Sequence, residues 1–124
     1  VVRASRSCGA ASASEPPRTL VVRAYANLHE NFDILLGATT PSPAFAVGEK
    51  VDDPVAMYLC DIFTASANLA GVPAVNVPAG LAEGLPLGVQ LTAPPRGEKI
   101  LLAAASHLER SLGGCPDSPL LVEK

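Results

Sequence analysis

A chain of 124 residues with 48% hydrophobic content has the length of one domain and enough apolar residues to build a core. Its formal charge of −3 and pI near 5.2 come with no cluster of Lys or Arg, which argues against a nucleic-acid footprint of its own. No apolar run approaches the ~20 residues needed to cross a bilayer, so a soluble chain is expected.

The first seventeen residues, VVRASRSCGAASASEPP, differ in composition from everything after them. Arg3, Arg6 and the absence of an acid before Glu15 suit an organellar leader, but small residues without apolar periodicity suit a disordered end or a mistranslated edge better. From Pro16 and Pro17, which mark a helix start, Leu20, Ala24, Leu28 and Phe32 recur at steps of four with Val21 and Tyr25 beside them. That spacing is one apolar face of a helix. Ile34, Leu35 and Leu36 then form a short apolar run ending at Gly37, the pattern of a strand covered on both faces. Pro41 and Pro43 hold TTPSPAF extended as a loop.

Asp53 before Pro54 is a strong helix start. The carboxylate can accept from orphan N–H groups, and proline lacks the one that would be orphaned beside it. The helical pattern runs to Leu69 with room for a break near Asp61, and Gly71 and Pro73 end it. Ala74 to Val77 and Leu87 to Leu91 read as an antiparallel hairpin joined by GLAEGLP, with a bulge or extra loop. Ile100, Leu101, Ala104, Ala105, Leu108 and Leu112 form one face of a closing helix that Gly113 and Gly114 terminate. A loose tail is expected over 114–124. The order helix, strand, helix, hairpin, helix predicts an α/β fold, and three strands with edges to cover suggest one flank of a larger sheet.

The runs FDILLGATTPSPAF, GEKVDDPVAMYLCDIFTASANLAGVPAVNVPAG and GLPLGVQLTAP resemble, in order, the C-terminal part of the amidase signature family, and within it the glutaminase subunits of tRNA-dependent amidotransferases. The resemblance covers about Arg18 to Arg110, so residues 18–113 are expected to be the C-terminal flank of an α/β/α sandwich built on a mixed sheet. NLAGVPA and GLPLGVQL belong to the wider family, whereas DDPVAMYLCDIFT is narrower. The resemblance implies that the parent enzyme releases ammonia from glutamine and passes it to the other subunits of the complex. One of these uses ATP and Mg to convert Glu-tRNA(Gln) to Gln-tRNA(Gln). It implies a bacterial cytoplasmic or organellar matrix or stromal location, and it makes Asp61 the carboxylate that holds the α-amino group of glutamine. By composition alone, Asp61 is an N-cap or turn acid at a helix break.

The family's Ser, cis-Ser, Lys triad has no counterpart in these residues, so the chain by itself is expected to be inactive. SCGAASAS, from Ser7 to Ser14, has one glycine and no partner lysine in reach, and Lys50, Lys99 and Lys124 read as solvated surface. Cys8, Cys60 and Cys115 lack the pairing of a disulfide framework or a zinc site, and suit a reducing compartment. Cys60 reads as a small buried hydrophobe, because a nucleophilic cysteine needs a base or cation beside it and its neighbour is an acid. His29 and His107, near Glu30 and Glu109, suit a solvated helical face, and no metal or cofactor is expected in this chain. The alternatives are the C-terminal part of another amidase-signature hydrolase and a non-catalytic remnant that binds a partner subunit.

Overall fold

The computed structural model of the chain describes residues 16–48 and 52–113. The segment with Cys8 and SCGAASAS, Lys50, and the tail with Cys115 and Lys124 lie outside the described residues. The elements are α1 (Pro17–His29), β1 (Leu35–Ala38), α2 (Pro54–Cys60), α3 (Ile62–Ala70), β2 (Ala74–Ala82), β3 (Leu85–Thr92) and α4 (Glu98–Ser111). They follow the expected order, with the long middle helix divided at Asp61.

The three strands form one sheet in the order β1-β3-β2, and every pairing is antiparallel. The hairpin is longer than GLAEGLP suggests, because both strands run into that segment and only Glu83 and Gly84 turn, at φ of 54° and 79°. Two successive left-handed residues match the right-handed twist of the flanking strands. The expected bulge falls between Pro78 and Gly80. Pro78, which has no N–H to donate, is tolerated because β2 is an outer strand.

Alternation along the strands divides the sheet into two faces. Val77 and Leu91 pack with Ala93 against Leu101 and Ala105 of α4, and Ile34, Val75, Val89, Ala104 and Leu108 surround that core. Gln90 and Thr92 face the opposite side, toward α1 and α3. Helix, sheet and helices thus form three layers of an α/β fold. In α4 the apolar stripe is only partly covered, since Leu101 and Ala105 are buried while Ile100 and Leu112 are exposed.

Two expectations need correction. β1 is not covered on both faces: it is an outer strand of this sheet and Leu36 is 64% exposed. Its Leu36 shares a face with Leu91, but α4 lies over β2 and β3. Phe32 does not extend the α1 stripe. The helix ends at His29, and Phe32 closes the last turn through its N–H to the Leu28 carbonyl, 3.0 Å.

A side-chain bridge crosses the sheet. The Thr39 hydroxyl, just beyond β1, donates to Oδ1 of Asn76 on β2, with β3 lying between the two strands. The Asn76 amide passes over Gly88, where an added Cβ would sit 2.5 Å from both of its terminal atoms. Glycine is therefore required by close approach, not by backbone angle. Gly88→Ala is expected to displace the amide, lose the Thr39 bond and lower stability by about 1 kcal/mol. In an Asn76→Ala background the same substitution should cost much less, and thermal melting of the four proteins of this cycle checks the coupling.

Candidate functional site

The segment from Asp52 to Leu69 carries the candidate site and is built around two aspartates with different roles. Asp53 caps α2: its carboxylate accepts from the N–H groups of Val55 and Ala56, both at 3.0 Å. Pro54 occupies the first helical position, as the sequence predicts. After Cys60 the chain leaves helical geometry for one residue, and Asp61 stands at φ −99° and ψ 4° between α2 and α3.

Asp61 begins α3 through its backbone alone. Its carbonyl accepts from the N–H groups of Thr64 and Ala65, at 3.1 and 3.0 Å, and from the Thr64 hydroxyl at 3.0 Å. Its side chain makes no capping hydrogen bond and is exposed. The carboxylate is thus unused by the helix break it occupies. Cys60 is half-buried, not fully buried as expected, and its thiol donates to the Ala56 carbonyl at 3.2 Å.

Beside α3 lies a cleft of about 390 Å³ that sequence reasoning missed. It is walled by Tyr25 and Leu28 of α1, Phe63 and Ser66 of α3, and β1 and β3 with Gln90 and Thr92. The Ser66 hydroxyl donates its one proton to the Phe63 carbonyl, 3.0 Å, so the contact of 3.0 Å between Tyr25 and Ser66 has the tyrosine as donor. The signal for this pair was a tyrosine within the apolar stripe of α1 and a serine inside an otherwise apolar helix. Asp61 does not line the cleft.

His29 also departs from expectation. It is half-buried, and its Nδ1 donates to the Phe32 carbonyl at 3.0 Å while Nε2 is enclosed without a partner among the described residues. His107 and Lys99 are exposed, as expected. Among the described residues there is no group of three His, Cys, Asp or Glu able to hold a metal, and no helix long and apolar enough to cross a membrane.

The sequence profile of the family described as Amidase matches residues 7–102. The chain belongs to the amidase family. One relative is the A-subunit of glutamyl-tRNA(Gln) amidotransferase from Rhodopirellula baltica, at 56% identity over 72% of this chain and 18% of the relative. The crystal structure of the corresponding A-subunit from Thermotoga maritima superposes with a TM-score of 0.72 at 36% identity, over 75% of this chain and 20% of that one. A bacterial aryl acylamidase of the amidase signature family is also similar, with a TM-score of 0.61 at 26% identity over 81% of this chain and 24% of that one. The chain spans about a fifth of the length of these amidases.

The two aspartates should separate by stability. Asp53→Ala removes the acceptor of two N–H groups and is expected to cost about 1 kcal/mol. Asp61→Asn removes no capping bond and should stay within about 0.5 kcal/mol of the parent. Amide hydrogen exchange of the N–H groups of α2 and α3 measures both.

Proposed function

We propose that this chain is the C-terminal part of the A-subunit of a glutamyl-tRNA(Gln) amidotransferase, and that it supplies one wall of the site where glutamine gives up its amide as ammonia. The observation that carries the reading is Asp61, a carboxylate that its own helix break leaves uncapped and exposed, in the MYLCDIFT segment. A carboxylate so placed can pair with the α-ammonium of glutamine through a charge-assisted hydrogen bond and reject an amide that lacks one. Recognition is the role, not bond cleavage. Covalent attack on the amide needs an activated nucleophile and its base, and the Ser, cis-Ser, Lys set lies in a part of the domain that this chain does not span.

In this reading the complete subunit releases ammonia and hands it to the other subunits of the complex. There ATP and Mg serve the conversion of Glu-tRNA(Gln) to Gln-tRNA(Gln), in the cytoplasm of a bacterium or an organellar compartment. A second reading, an amidase-signature hydrolase of simple amides, is favoured by the likeness to the aryl acylamidase. Dependence on the substrate's α-amino group distinguishes the two.

The purified chain should release no ammonia from glutamine beyond a heat-treated control, and sustained release in a sample free of other amidases would refute the recognition role. In the complete subunit, Asp61→Asn should lower kcat/KM for glutamine by roughly one to two decades, the worth of a charge-assisted hydrogen bond of about 1.5 to 3 kcal/mol. Ammonia supplied directly carries no α-amino group and should serve as donor nearly as well as before. Equal losses with both donors would make Asp61 a structural acid.

A further inference from the structure

Gly37 stands inside β1, and nothing among the described residues requires a glycine there. Its φ is not positive, and a Cβ built on it would have no atom of the described residues within 4 Å. Gly88 makes the contrast, since the Asn76 side chain fills the space its Cβ would need. A glycine inside a strand costs backbone entropy and packs no side chain, and one of its uses is close approach by another backbone. Gly37 pairs in register with Gln90 of β3, and both line the cleft between the sheet and the layer of α1 and α3.

The floor of that cleft is polar and unsatisfied. Gln90 and Thr92, two residues apart on β3, share its face, and neither side chain has a hydrogen-bond partner among the described residues. Thr92 is only 5% exposed, and a buried hydroxyl without a partner is costly. A carboxamide and a hydroxyl each offer a donor and an acceptor, which is what a peptide group needs. Leu28, Leu35 and Phe63 supply apolar walls for the side chains beside it. We infer that the cleft seats an extended backbone segment from the part of the amidase domain that this chain does not span, passing over Gly37 and hydrogen-bonded to Gln90. Most of each relative's length lies outside the matched region. A second copy is the poorer fit, because copies related by a two-fold axis present the same surface to each other and a concave cleft does not complement itself. This seat is independent of Asp61 and holds for either reading of the activity.

The test compares the complete amidase subunit carrying this segment with the 124-residue chain. In the complete subunit Gly37→Val is expected to lower Tm by roughly 2 to 8 °C through overpacking, and Gly37→Ala by less. Gln90→Leu, similar in volume but without the amide, should also lower it. If Gly37→Val prevents folding of the complete subunit, the two milder variants read the same contact. In the chain, where the cleft is open, amide exchange of β1 and β3 should stay within about twofold of the parent for each substitution, or slow. An unchanged Tm of the complete subunit with Gly37→Val or with Gln90→Leu would overturn the seat. Losses of equal size in the subunit and the chain would bind both residues to this chain's own packing and overturn it too. If the chain forms a dimer that Gly37→Val dissociates, the occupant is a second copy and the proposal falls.

Discussion

The contact of α4 with the β2-β3 hairpin carries the structure. Val77 and Leu91 from the sheet, Ala93 beyond it, and Leu101 and Ala105 from the helix make the buried cluster, and three of these are the small or medium side chains alanine and valine. Burial of apolar area at about 25 cal/mol per Å² is the main favourable term in folding, so a cluster of this size anchors one face of the sheet and little more. The opposite layer depends on weaker ties. α1 and α3 meet through the Arg18 guanidinium on the Leu69 carbonyl, 3.2 Å, and through the Tyr25 and Ser66 hydroxyls. Between them and the sheet lies the cleft rather than a packed core.

That imbalance explains the apolar surface along α2 and α3. Val55, Met57, Tyr58, Leu59, Ile62 and Phe63 are all exposed, and neither helix buries a large side chain. So many exposed apolar side chains on two successive helices are unusual on a self-sufficient domain. They are what an internal face of a larger layered domain presents, in keeping with a chain that spans about a fifth of its amidase relatives. Within that face Asp61 is a carboxylate among apolar neighbours. Burying it beside another layer would carry a desolvation cost that a bound cation offsets.

Much of the fold was legible because local chemistry agreed with tertiary structure. Asp53 and Pro54 start α2, Gly71 takes the left-handed cap at φ 69°, and the runs Ala74 to Val77 and Leu87 to Leu91 pair as the arms of an antiparallel hairpin. The misses arose where coverage depends on what lies beyond a residue's own element. Ile34-Leu35-Leu36 reads as a doubly covered strand, but nothing in the run tells which layers are present to cover it. His29 reads as solvated because it stands beside Glu30 on an amphipathic helix, yet its Nδ1 bonds the Phe32 carbonyl and its Nε2 is enclosed. For the site, the sequence placed the helix break at Asp61 but not the state of its carboxylate. Whether an acid at a break caps the next helix is a matter of one side-chain torsion. The Tyr25–Ser66 pair needed the packing of α1 on α3, which spacing alone does not provide.

If the chain is a flank whose stability resides in one layer contact, its elements should open independently. Amide hydrogen exchange on the isolated chain measures this residue by residue. Protection is predicted to be confined to β2, β3 and α4, centred on Val77, Leu91, Leu101 and Ala105, with α1, α2 and the edge strand β1 exchanging at least tenfold faster. Uniform protection across all seven elements, lost together in one cooperative unfolding step, would contradict it.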